Sequence, residues 1–171
     1  MQNKVVFRAA KAACQAGFPT LRFNFRGVGK SNGKFSQGVG ERDDVRAALE
    51  YLGLRFPNCP VCLLGFSFGA SVGLFVGASD PRVAVLVGLG VPVLSMNMDF
   101  LSGVRKRKLF VQGTRDEFGP RVQMNQFYAS LAEPKQIHWV QGADHFFTGK
   151  LEEVQRAIRE FLTSIVRGQI H

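Results

Sequence analysis

The fold is decided by residues 61–70, which read VCLLGFSFGA. The first part, 61–66, is a continuous apolar run, typical of a strand in a parallel sheet that is covered on both faces. The next segment, 67–78, consists of small and apolar residues and predicts a helix packed close to that sheet. The G-x-S-x-G at the junction therefore lies on a strand-to-helix turn, where the hydroxyl of Ser67 would project above the sheet edge.

The rest of the chain alternates between helical and strand patterns around this unit. Helices are predicted at 2–16, 41–56, 67–78, 120–131 and 151–166, and strands at 20–25, 61–66, 82–88, 108–112 and 136–140. A loop rich in Gly and Ser spans 26–40. This alternation predicts an α/β fold, a three-layer α/β/α sandwich with a mostly parallel sheet of about five strands.

Composition excludes several classes of protein. The chain has 171 residues with 46% hydrophobic and 20% charged residues, which suits one globular domain over 1–171 and not a disordered chain. The formal net charge of +9 permits a nucleic-acid partner, but the basic residues are scattered. We interpret the densest basic run, 105–108, as a solvated lead-in to a strand, and we expect no nucleic-acid partner. No apolar segment is long enough to span a membrane and no secretion signal is evident, so we expect no membrane association and a cytoplasmic location.

The three cysteines do not indicate a disulfide framework or a metal site. Cys59 and Cys62 form a C-x-x-C, but this pair runs into a strand instead of opening a helix, and no second pair is present. We interpret both as small packing residues. We expect neither a metal nor an organic cofactor.

Two further polar residues occupy the positions that a serine nucleophile requires. A serine hydroxyl needs a base, and the base needs an orienting carboxylate. Asp116 follows the strand at 108–112, and His145 follows the strand at 136–140. Both lie at the carboxyl ends of strands, where sites of such folds are built. Asp99 is the reserve acid, and Asp144 and Glu117 are poorer candidates. Asp144 is adjacent to His145 in sequence, and adjacent side chains point apart.

The combination resembles the α/β-hydrolase superfamily, and in particular small bacterial esterase-like hydrolases. The resemblance extends over nearly the whole chain, and the stretches that carry it are 3–6, 22–33, 65–70, 112–116 and 142–147. The resemblance implies that Ser67 is the nucleophile, His145 the general base and acid, and Asp116 the residue that orients the imidazole. It also implies that the backbone N–H of Phe68 is one donor of an oxyanion hole.

The implied activity is hydrolysis of short- to medium-chain carboxylic esters through an acyl-enzyme. We expect Phe66, Phe118, Phe146 and Phe147 to line an apolar substrate pocket. The segment 89–102 is too short to form a cap domain. The same triad would serve a thioesterase or an amidase. A different alternative is a catalytically weak or inactive domain that acts through self-association.

The chain departs from the family pattern at its start. Members of the family have N-terminal strands and a His- or Gly-rich loop that supplies a second oxyanion donor, whereas this chain begins with the first helix. In the family order a missing strand would lie between 21–25 and 61–66. We predict that these two strands pair directly, or alternatively that a partner chain fills the gap, and we expect a homodimer or a higher oligomer.

Overall fold

The centre of the molecule is a sheet of four parallel strands in the order β1-β2-β3-β4. A computed structural model of the chain describes residues 3–168. Each strand pairs with its neighbour in sequence. The strands are β1 Val61–Phe66, β2 Val83–Leu89, β3 Arg107–Gly113 and β4 Lys135–Val140. The predicted α/β fold with a parallel sheet is confirmed.

Helices cover both faces of this sheet. They are α1 Lys4–Gln15, α2 Glu41–Arg55, α3 Phe68–Ser79, α4 Arg121–Ser130 and α5 Leu151–Gly168, with a single 3₁₀ turn at Asp99–Leu101. α1 and α5 share one core with one face of the sheet, and α2, α3 and α4 share a second core with the other face. In β2, Val85 and Val87 enter the first core while Leu86 enters the second, as the period of two in a strand requires.

α5 illustrates why the amphipathic pattern forms a covering helix. Val154, Ile158, Leu162 and Ile165 recur at intervals of three or four residues and are all buried. That spacing places them on one stripe of an α-helix, and the stripe faces the sheet and α1.

The predicted strand at 20–25 is absent, and its predicted pairing with 61–66 is wrong. β1 pairs with β2 alone, so the sheet has four strands among the described residues and not about five. A strand exists only where a neighbour completes its hydrogen-bond ladder, and side-chain contacts hold this segment instead. The Phe25 ring packs against the Phe68 ring at 5.6 Å between centroids, and Arg26 pairs with Asp44 at 2.8 Å.

The basic run at 105–108 does lead into a strand, but it is only partly solvated. Lys108 is buried, and its ammonium group donates to the carbonyls of Val104 and Lys106. The Lys106 ammonium donates to the carbonyls of Gly77 and Asp80. Two of the four charges therefore hold the β2–β3 connection in place.

Cys62 lies in β1 and packs against the core. Burial raises the pKa of its thiol to about 12, so the thiol stays protonated at neutral pH. A protonated thiol is a poor nucleophile and a poor metal ligand.

In residues 3–168 no helix combines the length and the apolar character that crossing a bilayer requires.

Candidate active site

Ser67 lies on a sharp turn between β1 and α3. Its backbone has φ 52° and ψ −122°, a conformation that non-glycine residues rarely adopt. Its N–H donates to the carbonyl of Leu89 at 2.9 Å, which ties the turn to β2. A Cβ at Gly65 would come within 2.4 Å of the Gly69 carbonyl oxygen, so only glycine fits there. A Cβ at Gly69 would meet nothing closer than Phe25 at 3.7 Å, so an alanine would fit at that position without a clash.

The structure brings Ser67, His145 and Asp116 into one hydrogen-bonded line. The Ser67 hydroxyl lies 2.8 Å from Nε2 of His145. Nδ1 of the same imidazole lies 2.9 and 3.0 Å from the two oxygens of Asp116. Because a carboxylate only accepts, Nδ1 carries the proton, and Nε2 is free to accept from the serine hydroxyl. The His145 and Asp116 side chains are buried, whereas Ser67 is only half-buried and can be reached from solvent.

Backbone hydrogen bonds hold the loops of Asp116 and His145 against each other. The N–H of Arg115 donates to the carbonyl of Ala143 at 2.9 Å, and the N–H of Gly142 donates to Oγ1 of Thr114 at 2.8 Å. A Cβ at Gly113 would lie 2.4 Å from that same Ala143 carbonyl, so the close approach requires glycine. The two loops follow neighbouring parallel strands, which places both at the same edge of the sheet.

Asp116 has three further donors besides the imidazole. The N–H groups of Phe118 and Gly119 donate to Oδ1 at 2.9 and 3.3 Å, and the side-chain amide of Gln112 donates to Oδ2 at 2.8 Å. These bonds fix the carboxylate plane toward His145. The sequence pattern by itself indicates no role for Gln112. The available signal was its amide directly after the apolar run 109–111 of β3, since a buried polar group needs partners.

The other acidic candidates do not reach the imidazole. Asp99 is exposed in the 3₁₀ turn. The carboxylate of Asp144 accepts from the N–H of Thr148 at 2.9 Å. The backbone N–H and the side chain of Thr148 both form hydrogen bonds to this carboxylate. They outweigh the effect of burial and hold the pKa of Asp144 below its usual range.

The N–H of Phe68 is placed to receive a developing negative charge. Phe68 is the first residue of α3, and in the described chain its amide makes no hydrogen bond. It lies next to Ser67, at the end of the helix where the partial charge is positive. A free amide beside a nucleophile is the feature that an oxyanion hole uses.

Three of the four predicted pocket rings surround the imidazole of His145, and the fourth does not. The centroids of Phe118, Phe66 and Phe146 lie 4.6, 5.1 and 5.2 Å from that of the imidazole. Phe118 and Phe146 are 42% and 57% exposed, whereas Phe66 is buried at 9%. Phe147 is fully buried in the core, so its predicted place in the pocket is corrected: its ring supports Phe66 from behind, at 6.5 Å between centroids.

A serine hydroxyl aligned with an imidazole and a buried carboxylate is the arrangement that turns a weak nucleophile into a reactive one. Among residues 3–168 no cluster of three or more His, Cys, Asp or Glu side chains could hold a metal ion. The arrangement of Ser67, His145 and Asp116 can support nucleophilic attack by the serine oxygen, with proton transfer by His145.

The chain is similar in sequence to a known family and to a bacterial protein. A family model described as alpha/beta hydrolase domain matches residues 1–167. An uncharacterized protein of Rickettsia prowazekii is 35% identical over 100% of this chain and 76% of its own length.

Solved structures show the same similarity. An alpha-beta serine hydrolase homologue from Coxiella burnetii superposes with a TM-score of 0.89 at 38% identity, over 95% of this chain and 77% of that one. A serine hydrolase without lid from Xanthomonas campestris superposes with a TM-score of 0.85 at 34% identity, over 94% of this chain and 72% of that one. These relatives support a hydrolase activity, and the chain belongs to the α/β-hydrolase family.

Proposed function

We propose that the protein is a serine hydrolase that cleaves short- to medium-chain carboxylic esters through an acyl-enzyme on Ser67. The observation that carries the proposal is the continuous hydrogen-bonded line from the Ser67 hydroxyl through His145 to Asp116, at a strained strand-to-helix turn. Strain of this kind costs about 1–3 kcal/mol and persists where the surroundings enforce it, frequently at functional sites.

The first half of the reaction transfers the acyl group to the protein. Oγ of Ser67 attacks the ester carbonyl carbon while Nε2 of His145 takes the hydroxyl proton. The carbonyl oxygen becomes negative and accepts the N–H of Phe68. Asp116 stabilises the imidazolium that has formed. When the tetrahedral intermediate collapses, the bond to the alcohol oxygen breaks, and His145 returns its proton to that oxygen.

The second half releases the acid. A water molecule replaces the alcohol, and His145 removes one of its protons as the water oxygen attacks the acyl carbon. Collapse breaks the bond to Oγ, and His145 gives the proton back to Ser67. Every proton taken by the imidazole is returned, so the cycle needs no added oxidant, reductant or metal.

The connection between β2 and β3 supports a substrate of modest size. It carries only the 3₁₀ turn Asp99–Leu101, and the relative from Xanthomonas campestris is a hydrolase without lid. An uncovered site favours small, freely diffusing esters over long acyl chains, which need an extended enclosed groove to bury their surface.

The test compares the wild type with Ser67→Ala on p-nitrophenyl acetate and p-nitrophenyl butyrate. We expect the variant to fall to the background rate, because removal of a triad member typically costs about 10⁴-fold or more. Ser79→Ala, on the last residue of α3, is a matched control that should keep the wild-type rate. A wild type no faster than Ser67→Ala would contradict the proposal.

A fluorophosphonate probe separates the proposed enzyme from a weakly active domain. Covalent labelling that maps to Ser67 shows an activated nucleophile even where turnover is slow, since the probe needs attack but no release. Absence of labelling together with absence of turnover would favour the inactive-domain alternative. The rates on thioester and anilide analogues of the butyrate ester then show whether the protein prefers an oxygen, sulfur or nitrogen leaving group.

A further inference from the structure

We propose that Phe118 and Phe146 form a subsite for an aromatic alcohol, the leaving group of the substrate, and that the acyl group lies on the opposite side of Ser67, toward Phe68 and Phe35. The inference rests on the proposed ester hydrolysis and assigns the two halves of the ester to two sets of rings.

The position of the imidazole decides which half of the ester meets Phe118 and Phe146. His145 has to donate its Nε2 proton to the alcohol oxygen, so that oxygen comes within hydrogen-bond reach of the imidazole. The group attached to the oxygen then lies beside the rings that flank His145. The exposed ones among these rings are Phe118 and Phe146, with centroids 4.6 and 5.2 Å from the imidazole, whereas Phe66 is buried.

The two rings present an exposed apolar surface. Phe118 is 42% and Phe146 57% exposed, although they flank a histidine whose side chain is almost inaccessible. Their planes are tilted by 57° and 82° from that of the imidazole. Rings tilted in this way offer both edges and faces, and aromatic groups prefer edge-to-face contacts. An aromatic alcohol makes such contacts and an aliphatic one does not.

The backbone of Phe118 and the ring of Phe146 are held in place before any substrate arrives. The N–H of Phe118 donates to Asp116 at 2.9 Å, and its carbonyl accepts from the N–H of Leu94 at 3.1 Å. Phe146 packs on the buried Phe66 at 5.9 Å between centroids. A subsite held in this way binds without the cost of ordering its walls.

The acyl side is marked by a different exposed ring. The carbonyl oxygen faces the N–H of Phe68, so the acyl chain leaves the carbonyl carbon near that residue and away from His145. The Phe68 ring packs against Phe35 at 5.5 Å between centroids, and Phe35 is 67% exposed. Its loop is pinned by Glu41, whose carboxylate accepts the N–H groups of Ser36 and Gly38 at 2.7 and 2.8 Å.

The test uses ethyl, benzyl and cyclohexylmethyl acetates, which share one acyl group. The quantity measured is kcat/KM, because it includes the departure of the alcohol, whereas deacylation is common to all three. We expect Phe118→Ala and Phe146→Ala each to lower the benzyl-to-ethyl ratio of kcat/KM roughly tenfold, as the loss of ring burial and one aromatic contact predicts. The cyclohexylmethyl-to-ethyl ratio should fall several times less.

Two controls separate the halves of the site. Phe35→Ala should leave the benzyl-to-ethyl ratio of the acetates as in the wild type and lower the ratio of ethyl hexanoate to ethyl acetate. Leu54→Ala removes an 80% exposed side chain from α2 and should change neither ratio.

The same subsite can be followed without turnover. In Ser67→Ala, saturation-transfer NMR of benzyl acetate should give its strongest signals on the ring protons, and adding Phe118→Ala should weaken them.

Unchanged ratios in both ring variants, an equal fall for the benzyl and cyclohexylmethyl esters, or NMR signals that do not depend on Phe118 would each overturn the aromatic subsite. Failure of the proposed function is a separate result, namely no ester turnover and no fluorophosphonate labelling of Ser67.

Discussion

At the residue scale, the buried amide of Gln112 links the carboxylate of Asp116 to two loops. Its Nε2 donates to Asp116 at 2.8 Å and to the carbonyl of Gly119 at 3.2 Å, while its Oε1 accepts the N–H of Val91 at 2.8 Å. The side chain is completely buried. A network whose members are all satisfied holds one geometry, and loss of one member leaves the others without partners. Gln112 is therefore a positioning residue that acts through Asp116.

We predict that Gln112→Met lowers kcat roughly tenfold with little change in KM. The substitution removes the amide that orients the Asp116 carboxylate, but Gln112 itself does not contact the substrate. Each buried polar group that loses its partner usually costs ~1–3 kcal/mol. Steady-state kinetics on p-nitrophenyl butyrate and the rate of fluorophosphonate labelling measure it. Gln136→Met, at an exposed position of β4, is the matched control. If Gln112→Met lowered thermal stability but left kcat unchanged, Gln112 would have only a packing role.

At the element scale, the long loop at 26–40 is held by carboxylates from the first turn of α2. Both oxygens of Asp44 accept hydrogen bonds from the Arg26 guanidinium, and the buried Glu41 accepts two loop N–H groups. Burial alone would raise the pKa of Glu41, but the N–H donors of Ser36, Glu41 and Gly38 and the charge of Arg26 together outweigh it and hold this pKa below its usual range. Because its folded-state pKa is depressed, the charged form of Glu41 favours the folded loop above the ordinary carboxyl pKa, about 4.

We predict that Glu41→Gln is less stable than the wild type at pH 7 and that the difference shrinks as pH falls through the titration of Glu41. Protonation of the wild-type carboxylate removes the same charge that the substitution removes, so both proteins converge in acid. Urea unfolding at pH 7, 5 and 3 gives the two curves. Glu50→Gln, exposed on the same helix, should follow the wild type throughout. A constant difference at all three pH values would show that the charge is not what holds the loop.

At the scale of the whole molecule, β1 is an edge strand with an apolar sequence. Within residues 3–168 it pairs with β2 on one side, and no described strand lies on its other side. The N–H groups of Val61 and Ser67 point toward β2, where they donate to the carbonyls of Arg82 and Leu89. Because N–H directions alternate along a strand, those of Cys62 and Leu64 point to the open edge. An open, apolar edge is a template for another strand.

We expect the 171-residue chain to self-associate through this edge. Cys62→Pro removes an outward N–H without breaking the ladder to β2, so it should shift the chain toward monomer. Light scattering coupled to size-exclusion chromatography over a dilution series measures the mass, and Cys62→Val, which keeps the N–H and suits a strand, is the control. A wild type that stays monomeric, or a proline variant that associates equally well, would contradict the expectation.

The sequence was informative where local pattern and chain order suffice. The continuous apolar run of β1 and the small residues of α3 specify a strand-to-helix turn, and Asp116 and His145 each follow a strand. Neighbouring parallel strands bring the loops at their carboxyl ends to the same edge of the sheet, whatever side chains lie between. Ser67, Asp116 and His145 could therefore be named from the sequence. The role of Gln112 could not, because its partners lie on two different loops.

What the sequence by itself determined is the order and type of the five helices and of the four strands that pair, and the residues that meet above the sheet. The tertiary structure decided that 20–25 is not a strand and that Phe146 is exposed while its neighbour Phe147 is buried. The physical reason is the range of the interactions. Turns and amphipathic faces depend on residues a few positions apart, whereas strand pairing and burial depend on groups that are distant in the chain and meet only in the folded molecule.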